Sequence, residues 1–368
     1  MSERLTSSLT QDGKRPVPSS NRNVVINGAM QVAQRGTSAA GLTDANSSYH
    51  TADRWRVGNI SLGTWTQSVE ADAPTGSGFR NSLKILCTTA DASPAAVDLL
   101  ITRTRLEGQN IQQFLKGTAS AKQFAVSFWV KSNVTGTYIA ELQDQNNTRS
   151  VSASYTVIAS ATWEKKTIIF PADTTGAFTN DNGLSLDINF WLGVGTDYSS
   201  GTLATTWVSS VSANRAVGQT NLAAATNNYW QITGVQLEAG SVATPFEFED
   251  ISTTLVKCQR YYFRHTVGAV NGTVGFGIAE NTADSYFITH FPTQMRTIPT
   301  SVESSTLEIL LPGVADYAFT SLALATGSST ALVGAVTVGG SVGLTASRAY
   351  FLRANNSTAA YLAFSAEL

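Results

Sequence analysis

Short runs in which apolar and polar residues alternate recur along the whole chain. Examples are "FAVSFWVKS" (124–132), "LDINFWLGVG" (186–195) and "SYFITHFP" (285–292). Gly, Asn, Asp and Ser separate these runs at short intervals, as turn residues separate the strands of a β-sandwich. The pattern therefore predicts an all-β protein, with "LEGQNIQQFLKG" (106–117) as a single turn or short helix.

The distribution of tryptophan divides the chain into two parts. All seven tryptophans precede residue 231, although strand-like runs continue to the end of the chain. Between the parts lies "GVQLEAGSVATPFEFED" (234–250), whose alternating Phe and acidic residues we interpret as a linker. The predicted units are an extended arm over residues 1–22, which lack core-forming periodicity, a β-sandwich over 23–250 and a second, smaller β-sandwich over 251–368.

Composition excludes several classes of protein. Charged residues make up 14% of the chain and the net charge is −2, so no basic field predicts a nucleic-acid partner. Residues 1–20 lack the apolar core of a secretory signal peptide. The stretch from Tyr317 to Ser347 carries no charge, but its Ser, Thr and Gly content and strand-like alternation argue against membrane insertion. We expect this uncharged stretch to be buried at an interface between subunits.

Motifs for catalysis, metal or cofactor binding are not recognisable. His50 precedes the "ADRW" turn and is interpreted as a polar loop residue, and no Cys or carboxylate pair lies at ligand spacing beside His265 and His290. Cys87 and Cys258 lie far apart. The chain has no Gly-x-Ser-x-Gly elbow and no phosphate-binding loop. We therefore predict no catalytic residue, no metal site, no cofactor and no enzymatic activity. A polysaccharide-cleaving pair of carboxylates stays an alternative for which the sequence selects no residues.

Two strands carry a tryptophan among polar residues on the face opposite an apolar row. Period-2 alternation places Asp187, Asn189 and Trp191 on that face of one strand, and Trp129 and Lys131 on that face of the other. Flat aromatic rings flanked by polar groups are suited to stack on sugar rings, so these five residues are the candidate carbohydrate-binding site. The alternative is that both tryptophans cover a second buried face or a subunit contact. The opposite rows are expected in the core: Phe124, Val126, Phe128 and Val130 in one strand, and Leu186, Ile188, Phe190, Leu192 and Val194 in the other.

Two further clusters favour a structural interpretation. "ADRW" (52–55) could pair Asp53 with Arg54 at a corner near the first core strand. "CQRYYFR" (258–264) combines arginine and tyrosine without a wider basic patch. We interpret it as a joint between domains or subunits.

Several of these stretches, in their order and spacing, resemble a family of bacteriophage virion proteins. They are "NVVINGAMQVAQRGT" (23–37), "ADRW", "VSFWVKS", "GVQLEAGSVATPFE" and "CQRYY", while "FPTQMRTIPT" and the final "FSAEL" resemble the domain that follows. The resemblance covers roughly residues 23–300 and implies tail-fibre or head-fibre appendage subunits whose main domain is a jelly roll like that of carbohydrate-binding modules. It also implies a homotrimer located at the virion surface.

The resemblance departs from calcium-containing modules of this shape at one place. In those modules an opening Asn-Gly-x-Phe-Glu and a late Asp supply oxygen ligands, whereas this chain has Asn27-Gly28-Ala29-Met30-Gln31 and Thr233-Gly234. A neutral amide is a poorer calcium ligand than a carboxylate, so we do not expect calcium there.

The sequence thus predicts a virion appendage, on the tail or the head, whose partners are other virion proteins and host-surface polysaccharide. The alternatives are a purely structural fibre or decoration protein without sugar binding, and a polysaccharide depolymerase. We expect residues 1–22 to dock the subunit on the virion.

Overall fold

A computed structural model of the chain describes residues 21–368. The predicted docking arm over residues 1–22 therefore lies outside the described residues, except for Asn21 and Arg22. Arg22 donates a hydrogen bond from Nη1 to the hydroxyl oxygen of Thr244, 2.5 Å away. This contact holds the first described residues against the chain near residue 244.

The first part of the described chain contains twelve strands in two antiparallel sheets. The strands are β1 Ser38–Leu42, β2 Trp55–Ile60, β3 Thr64–Glu70, β4 Ser82–Thr89, β5 Leu99–Glu107, β6 Phe124–Ser132, β7 Gly136–Asp144, β8 Arg149–Val157, β9 Glu164–Phe170, β10 Leu184–Val194, β11 Val208–Ser209 and β12 Tyr229–Ala239. The first sheet has the order β1-β3-β4-β12-β6-β9, and the second sheet has the order β11-β8-β7-β10-β5-β2. The predicted all-β class is confirmed.

Helices in this part are short. They are the 3-10 turns Asp44–Asn46, Gly108–Asn110, Gln112–Phe114, Ser212–Asn214 and Leu222–Ala224, and the four-residue helix α1 at Thr196–Ser199. The predicted turn or short helix within residues 106–117 is therefore a pair of 3-10 turns.

The core of this sandwich lies between the two sheets and contains the apolar rows of β6 and β10. Each residue of those rows has almost no exposed surface, with one exception. Val194 follows a β-bulge between Trp191 and Gly193, and it packs instead beside Trp191 on the outer face of the second sheet. A bulge inserts an extra residue and so reverses the faces of all later positions.

The second part of the chain consists of helix α2 and ten strands. The elements are α2 Ile251–Gln259, β13 Tyr262–Thr266, β14 Thr273–Ala279, β15 Ser285–His290, β16 Ser301–Ser305, β17 Leu307–Leu311, β18 Ala315–Tyr317, β19 Ser321–Leu324, β20 Val333–Gly339, β21 Ala349–Ala354 and β22 Tyr361–Ser365. They form a three-stranded sheet, β13-β22-β16, and a seven-stranded sheet, β18-β17-β21-β14-β15-β20-β19. Each of the four sheets draws its strands from one side of residue 250 only.

The uncharged stretch from Tyr317 to Ser347 contributes to the core of this second unit. Val336 and Val338 are buried in β20 among the aromatic and aliphatic side chains of the same chain. The expectation that these residues are buried by a neighbouring subunit is therefore corrected, because the fold of the single chain already covers them.

The acidic end of the predicted linker over residues 234–250 packs against the first sandwich, so this segment is not a free linker. Glu247 accepts hydrogen bonds from the backbone N–H groups of Asn21 and Asn23 at 3.1 and 2.8 Å. Asp250 caps the start of α2 by accepting a hydrogen bond from the backbone N–H of Ser252. A carboxylate at this position satisfies an otherwise unpaired helix donor. The acidic residues therefore have defined structural contacts.

The two units meet at a joint formed by arginine and tyrosine. Arg54 lies 3.5 Å from the ring centre of Tyr261, and Arg35 lies 3.5 Å from that of Tyr262. Both arginines also pair with Glu367 near the end of the chain. Stacking of guanidinium groups on tyrosine rings combines charge with apolar contact, so these pairs hold the two units together.

Neighbouring contacts extend this joint. Arg260 donates two hydrogen bonds of 2.9 Å to Glu107. Asp53 does not pair with Arg54; it accepts hydrogen bonds from the backbone and side chain of Gln34. Burial raises the pKa of Asp53 to about 6, and the hydrogen bonds from Gln34 act in the opposite direction. The "ADRW" and "CQRYY" motifs thus lie together where the two units meet.

Candidate functional site

Burial separates the seven tryptophans into two groups. Five are buried: Trp55, Trp65, Trp191, Trp207 and Trp230. Trp129 and Trp163 are the two that keep part of their surface exposed. Since an aromatic ring has to be accessible to stack on a ligand, these two are the tryptophans available for binding.

Trp129 and Trp163 lie on the same outer face, that of the first sheet. In the pairing of β6 with β9, Trp129 is opposite Lys165 and Val130 is opposite Glu164. Continuing this register places Trp163 beside Lys131. Tyr229 on the neighbouring strand β12 also points to this side and is partly exposed. We call Trp129, Trp163 and Tyr229 the aromatic face.

Asp72 holds the centre of the aromatic face together. It accepts hydrogen bonds from Lys131 Nζ at 2.7 Å, from Trp163 Nε1 at 3.1 Å and from Gln231 Nε2 at 3.1 Å. Burial would raise the pKa of Asp72, but the hydrogen bonds from Lys131, Trp163 and Gln231 outweigh it and lower that pKa. The carboxylate is therefore charged at neutral pH and fixes both the lysine and the indole ring.

Cations surround the aromatic rings. Lys84 Nζ lies 5.0 Å from the ring centre of Tyr229, and Lys131 Nζ lies 5.8 Å from that of Trp163. Lys165 is exposed on the same face. Rings with polar side chains at their edges offer both an apolar contact and hydrogen bonds. A sugar ring has an apolar C–H face and hydroxyl groups at its edge, which match these two kinds of contact.

Of the five predicted site residues, Trp129 belongs to the aromatic face and Lys131 lies beside it on the same side of the first sheet. The other three lie on the outer face of the second sheet, on the opposite side of the sandwich. Trp191 is fully buried there, with the ring of Tyr198 at 5.5 Å and the guanidinium of Arg215 at 5.0 Å. The expectation that Trp191 is an exposed platform is corrected, because the chain between β10 and β12 folds over it.

Asp187 and Asn189 are also buried on this second outer face. Asp187 lies 3.4 Å from Arg103 and 3.3 Å from Arg105. Asn189 donates a hydrogen bond to Glu141 at 3.0 Å. The five residues therefore do not form one site, because the core of the sandwich separates them.

Sequence reasoning missed Trp163, Tyr229, Asp72 and Gln231. The period of β9 would have placed Trp163 on the side of Lys165, but the pairing of β9 with β6 is not visible in the sequence. Asp72 lies in the loop between β3 and β4, and no local pattern connects it to Lys131. These residues are brought together by the pairing of strands distant in sequence and by the loop that carries Asp72.

A buried lysine occupies a second polar site in the first sandwich. Lys116 Nζ lies 2.6 Å from Asp144, 3.0 Å from Asp173, and 3.0 and 2.7 Å from the carbonyl oxygens of Thr175 and Gly176. Four oxygen atoms around one cation would suit a metal ion, but here the ammonium group takes that position. Within residues 21–368, no three His, Cys, Asp or Glu side chains come together in a group that could hold a metal ion.

The turn at Asn27, compared above with calcium-binding openings, is satisfied by the chain itself. Asn27 donates to the carbonyl oxygens of Val32 and Asp53, and accepts from the N–H groups of Gln31 and Val32. Gly28 lies so close to Val235 that an added side chain would clash with its carbonyl oxygen. The motif therefore positions the backbone against β12.

The described chain also contains a cleft of about 850 Å³ next to α2. Arg22, Lys122, Lys257 and Arg260 lie around it together with Glu238. Lys257 and Arg260 are already paired with acidic residues of the protein.

None of the helices within residues 21–368 has the length and apolar character needed to cross a membrane.

Comparison with known proteins gives structural likeness only. No family model and no curated protein matches the chain. Solved structures that resemble it include the enzymatically active domain of tailspike protein 4 of bacteriophage CBA120 (14% identity, TM-score 0.31), with 60% of this chain and 22% of that chain covered. A putative sugar binding protein from Bacteroides thetaiotaomicron VPI-5482 (13%, TM-score 0.33) is covered over 99% of its length and 59% of this chain. TmCBM61 in complex with beta-1,4-galactotriose (10%, TM-score 0.31) has the same two shares. Function is therefore argued from the residues of this chain.

Proposed function

We propose that the protein is a subunit of a bacteriophage virion appendage that binds host-surface polysaccharide and has no enzymatic activity. The observation that carries the glycan part is the aromatic face, where the two partly exposed tryptophans and Tyr229 share one outer face of the first sheet. Lys131, Asp72 and Gln231 are already oriented by mutual hydrogen bonds, so little side-chain freedom is lost on binding. The virion part rests on the sequence resemblance.

The binding experiment compares wild type with Trp129→Ala on a glycan array and on extracted host polysaccharide. Loss of a stacking ring is expected to weaken binding by about tenfold or more, since aromatic contacts supply much of the energy at such surfaces. The variant should still fold, because the ring is partly exposed and lies outside the core between the two sheets. Equal binding by both proteins, or no binding by wild type, would contradict the glycan proposal and favour a purely structural fibre.

The same material tests the absence of enzymatic activity. Wild-type protein incubated with a polysaccharide that it binds should leave both the viscosity and the number of reducing ends unchanged. Release of reducing ends would instead identify a depolymerase.

We further propose that the subunit assembles as a homotrimer through the second unit. Phe276, Ile278 and Phe351 are 55%, 52% and 40% exposed on one face of the seven-stranded sheet. Phe276 lies opposite Phe351 in the pairing of β14 with β21, and opposite Ile288 in the pairing with β15. A contiguous exposed apolar surface of this kind marks an interaction site, and a second copy offers a matching apolar face. The threefold state itself comes from the sequence resemblance.

Light scattering of the wild type and of Phe276→Lys tests this assembly. Wild type is expected at three times the subunit mass of 39.0 kDa, and the variant at the mass of one subunit with an unchanged fold. A wild-type monomer at micromolar concentration would refute the trimer. Phe276→Lys also serves as the control for Trp129→Ala, because it should change assembly without changing the affinity of a single subunit.

Attachment to the virion is tested by deleting residues 1–22. Both units are expected to fold in the truncated protein, whereas incorporation into particles is lost. Particles that carry the truncated protein at the normal copy number would show that docking uses another part of the chain.

A further inference from the structure

Three arginines lie close together on the outer face of the second sheet, on the opposite side from the aromatic face. Arg56 on β2 is directly opposite Arg103 on β5, and Arg105 is two positions further along β5 on the same side. Side chains directly opposite in an antiparallel pair have Cβ atoms roughly 5 Å apart, and like charges placed so are destabilising. We call these three residues the arginine cluster.

The protein compensates this charge only in part. Within residues 21–368, Asp187 is the one acidic residue that forms ion pairs with the cluster, to Arg103 and Arg105, and Arg56 forms none. Two of the arginines also donate to other oxygen atoms, Arg56 to the carbonyl oxygen of Ser47 and Arg105 to an oxygen of Leu368, the last residue. Three guanidinium groups therefore share a single acidic side chain, and many of their N–H donors stay available.

The pKa values of two arginines in the cluster also indicate that its positive charge is only partly compensated. Burial lowers the pKa of Arg103 to about 10; Asp187 opposes this shift, while Arg105 and Arg56 add to it. Burial and the nearby Arg105 also lower the pKa of Arg56. A bound anion would reduce the repulsion between the arginines. It would thereby raise the pKa of Arg103 and of Arg56 back toward the ordinary arginine value.

The surroundings of the cluster suit a polar ligand. Arg103 and Arg105 each keep 17% of their side-chain surface exposed, so neither side chain is closed off from solvent. Asn189, opposite Arg103 in the pairing of β10 with β5, is buried, and its Oδ1 has no hydrogen-bond partner within residues 21–368. Gln143 on β7 lies next to Asp187 and is partly exposed. Donors, amides and a free acceptor thus occur together across three neighbouring strands.

We propose that the arginine cluster binds an oxyanion of an acidic glycan, a carboxylate or a sulfate ester, at a site separate from the aromatic face. Arginine suits this ligand because its planar group donates two parallel hydrogen bonds to such anions. The ligand class rests on the proposed function, since only that proposal makes the ligand a saccharide. The anion site itself rests on the arginines alone.

The test uses the full chain and two matched pairs of polymers. Polygalacturonate is compared with its neutral methyl ester, and dextran sulfate with dextran, by affinity electrophoresis or biosensor at low and moderate salt. We expect binding to at least one of the acidic polymers to exceed binding to its neutral counterpart by about tenfold, and to weaken with salt. Which acidic polymer binds decides between carboxylate and sulfate.

Variants separate the cluster from the general charge of the protein. Arg103→Gln and Arg56→Gln should each reduce binding of the acidic polymer by about tenfold, whereas Arg348→Gln, with the same loss of charge at an exposed position of the second unit, should not. Arg56 makes no ion pair, so Arg56→Gln keeps the test valid even if Arg103→Gln folds poorly. Equal losses in all three variants, or equal binding of the acidic and neutral polymers, would overturn the proposal.

Failure of this inference can be told apart from failure of the proposed function. If Trp129→Ala abolishes binding to neutral glycans while the arginine variants bind acidic polymers like wild type, the aromatic face is supported and the arginine cluster is not a site. If the arginine variants lose the acidic polymer while Trp129→Ala changes nothing, the anion site stands and the aromatic face is refuted.

Discussion

The two outer faces of the first sandwich carry similar residues but differ in what covers them. On the first sheet, Trp129 and Trp163 reach the surface beside Lys131. On the second sheet, Trp191 has a comparable place in its strand but is buried beneath Tyr198 and Arg215. Alternation along a strand decides which side of a sheet a residue lies on, whereas the connections between strands decide whether that side is exposed.

The carboxylates on the two outer faces differ in exposure in the same way as the tryptophans. Asp72 on the first face is 40% exposed and holds Lys131 at the surface. Glu141 on the second face is fully buried and binds Arg215, Asn189 and the indole of Trp191. Both carboxylates organise an aromatic ring, but only the first leaves that ring accessible to a ligand.

Replacing each tryptophan by alanine gives the largest expected contrast. Trp191→Ala should lower the free energy of unfolding by about 3–5 kcal/mol, the usual cost of removing a buried aromatic side chain. Trp129→Ala should cost clearly less, because part of that ring is exposed in the folded protein. Denaturant unfolding of both variants measures the difference, and similar losses would mean that the two faces are equally buried in solution.

Neutralising the two carboxylates is expected to have the next largest effect. Glu141→Gln leaves Arg215 without its buried counter-charge and should cost about 3 kcal/mol. Asp72→Asn removes a partly exposed pair and should cost below about 1 kcal/mol. The same denaturant measurement applies; a cost for Asp72→Asn that equals that of Glu141→Gln would show that the first face is less open than its surface area indicates.

A pH series extends the comparison to the joint between the two units, where Asp53 is buried. Because its pKa is raised to about 6 in the folded protein, the folded state binds the proton more tightly than the unfolded state. The resulting stabilisation is present below about pH 4 and is lost as the pH rises through 6, by on the order of 2 kcal/mol. Asp53→Asn should lack this dependence, so the free energy of unfolding of wild type should fall relative to that of the variant from acid to neutral pH. A constant difference from pH 4 to pH 7 would contradict the raised pKa.

The smallest effect is expected for Lys84→Gln on the aromatic face. Its ammonium group lies 5.0 Å from the Tyr229 ring, and an exposed contact of this type contributes about 0.5–1 kcal/mol. The unfolding midpoint should therefore change little, and glycan affinity should fall much less than in Trp129→Ala. A loss of affinity as large as that of the tryptophan variant would place the lysine, and not the rings, at the centre of the site.

The strands and most of the core were predictable from the sequence. Residues at alternate positions of β6 and β10 face the core as expected, because strand geometry imposes a period of two on any sheet with one buried face. Val194 is the exception, since a bulge carries no clear signal in "WLGVG". Helix α2 was not foreseen, although Asp250 stands where an N-cap residue is favoured.

The candidate site was only half predictable. Trp129 and Lys131 share a strand, so their common face follows from local alternation. Trp163 and Asp72 join them through the pairing of β6 with β9 and through a loop contact 59 residues away in sequence, and neither has a local pattern. The burial of Trp191 by Arg215 is equally a product of tertiary structure. Long-range arrangement therefore decided which tryptophans are accessible.

The cation that holds the loops around Asp144 and Asp173 together is part of the chain itself, the ammonium group of Lys116. Its ammonium group forms ion pairs with Asp144 and Asp173 and binds two carbonyl oxygens in a position where a free ion could sit. A free ion exchanges with the medium and can be withdrawn by a chelator or by dilution. A lysine side chain cannot leave, so these loops should keep their arrangement in fresh water, in seawater or in a chelating buffer alike.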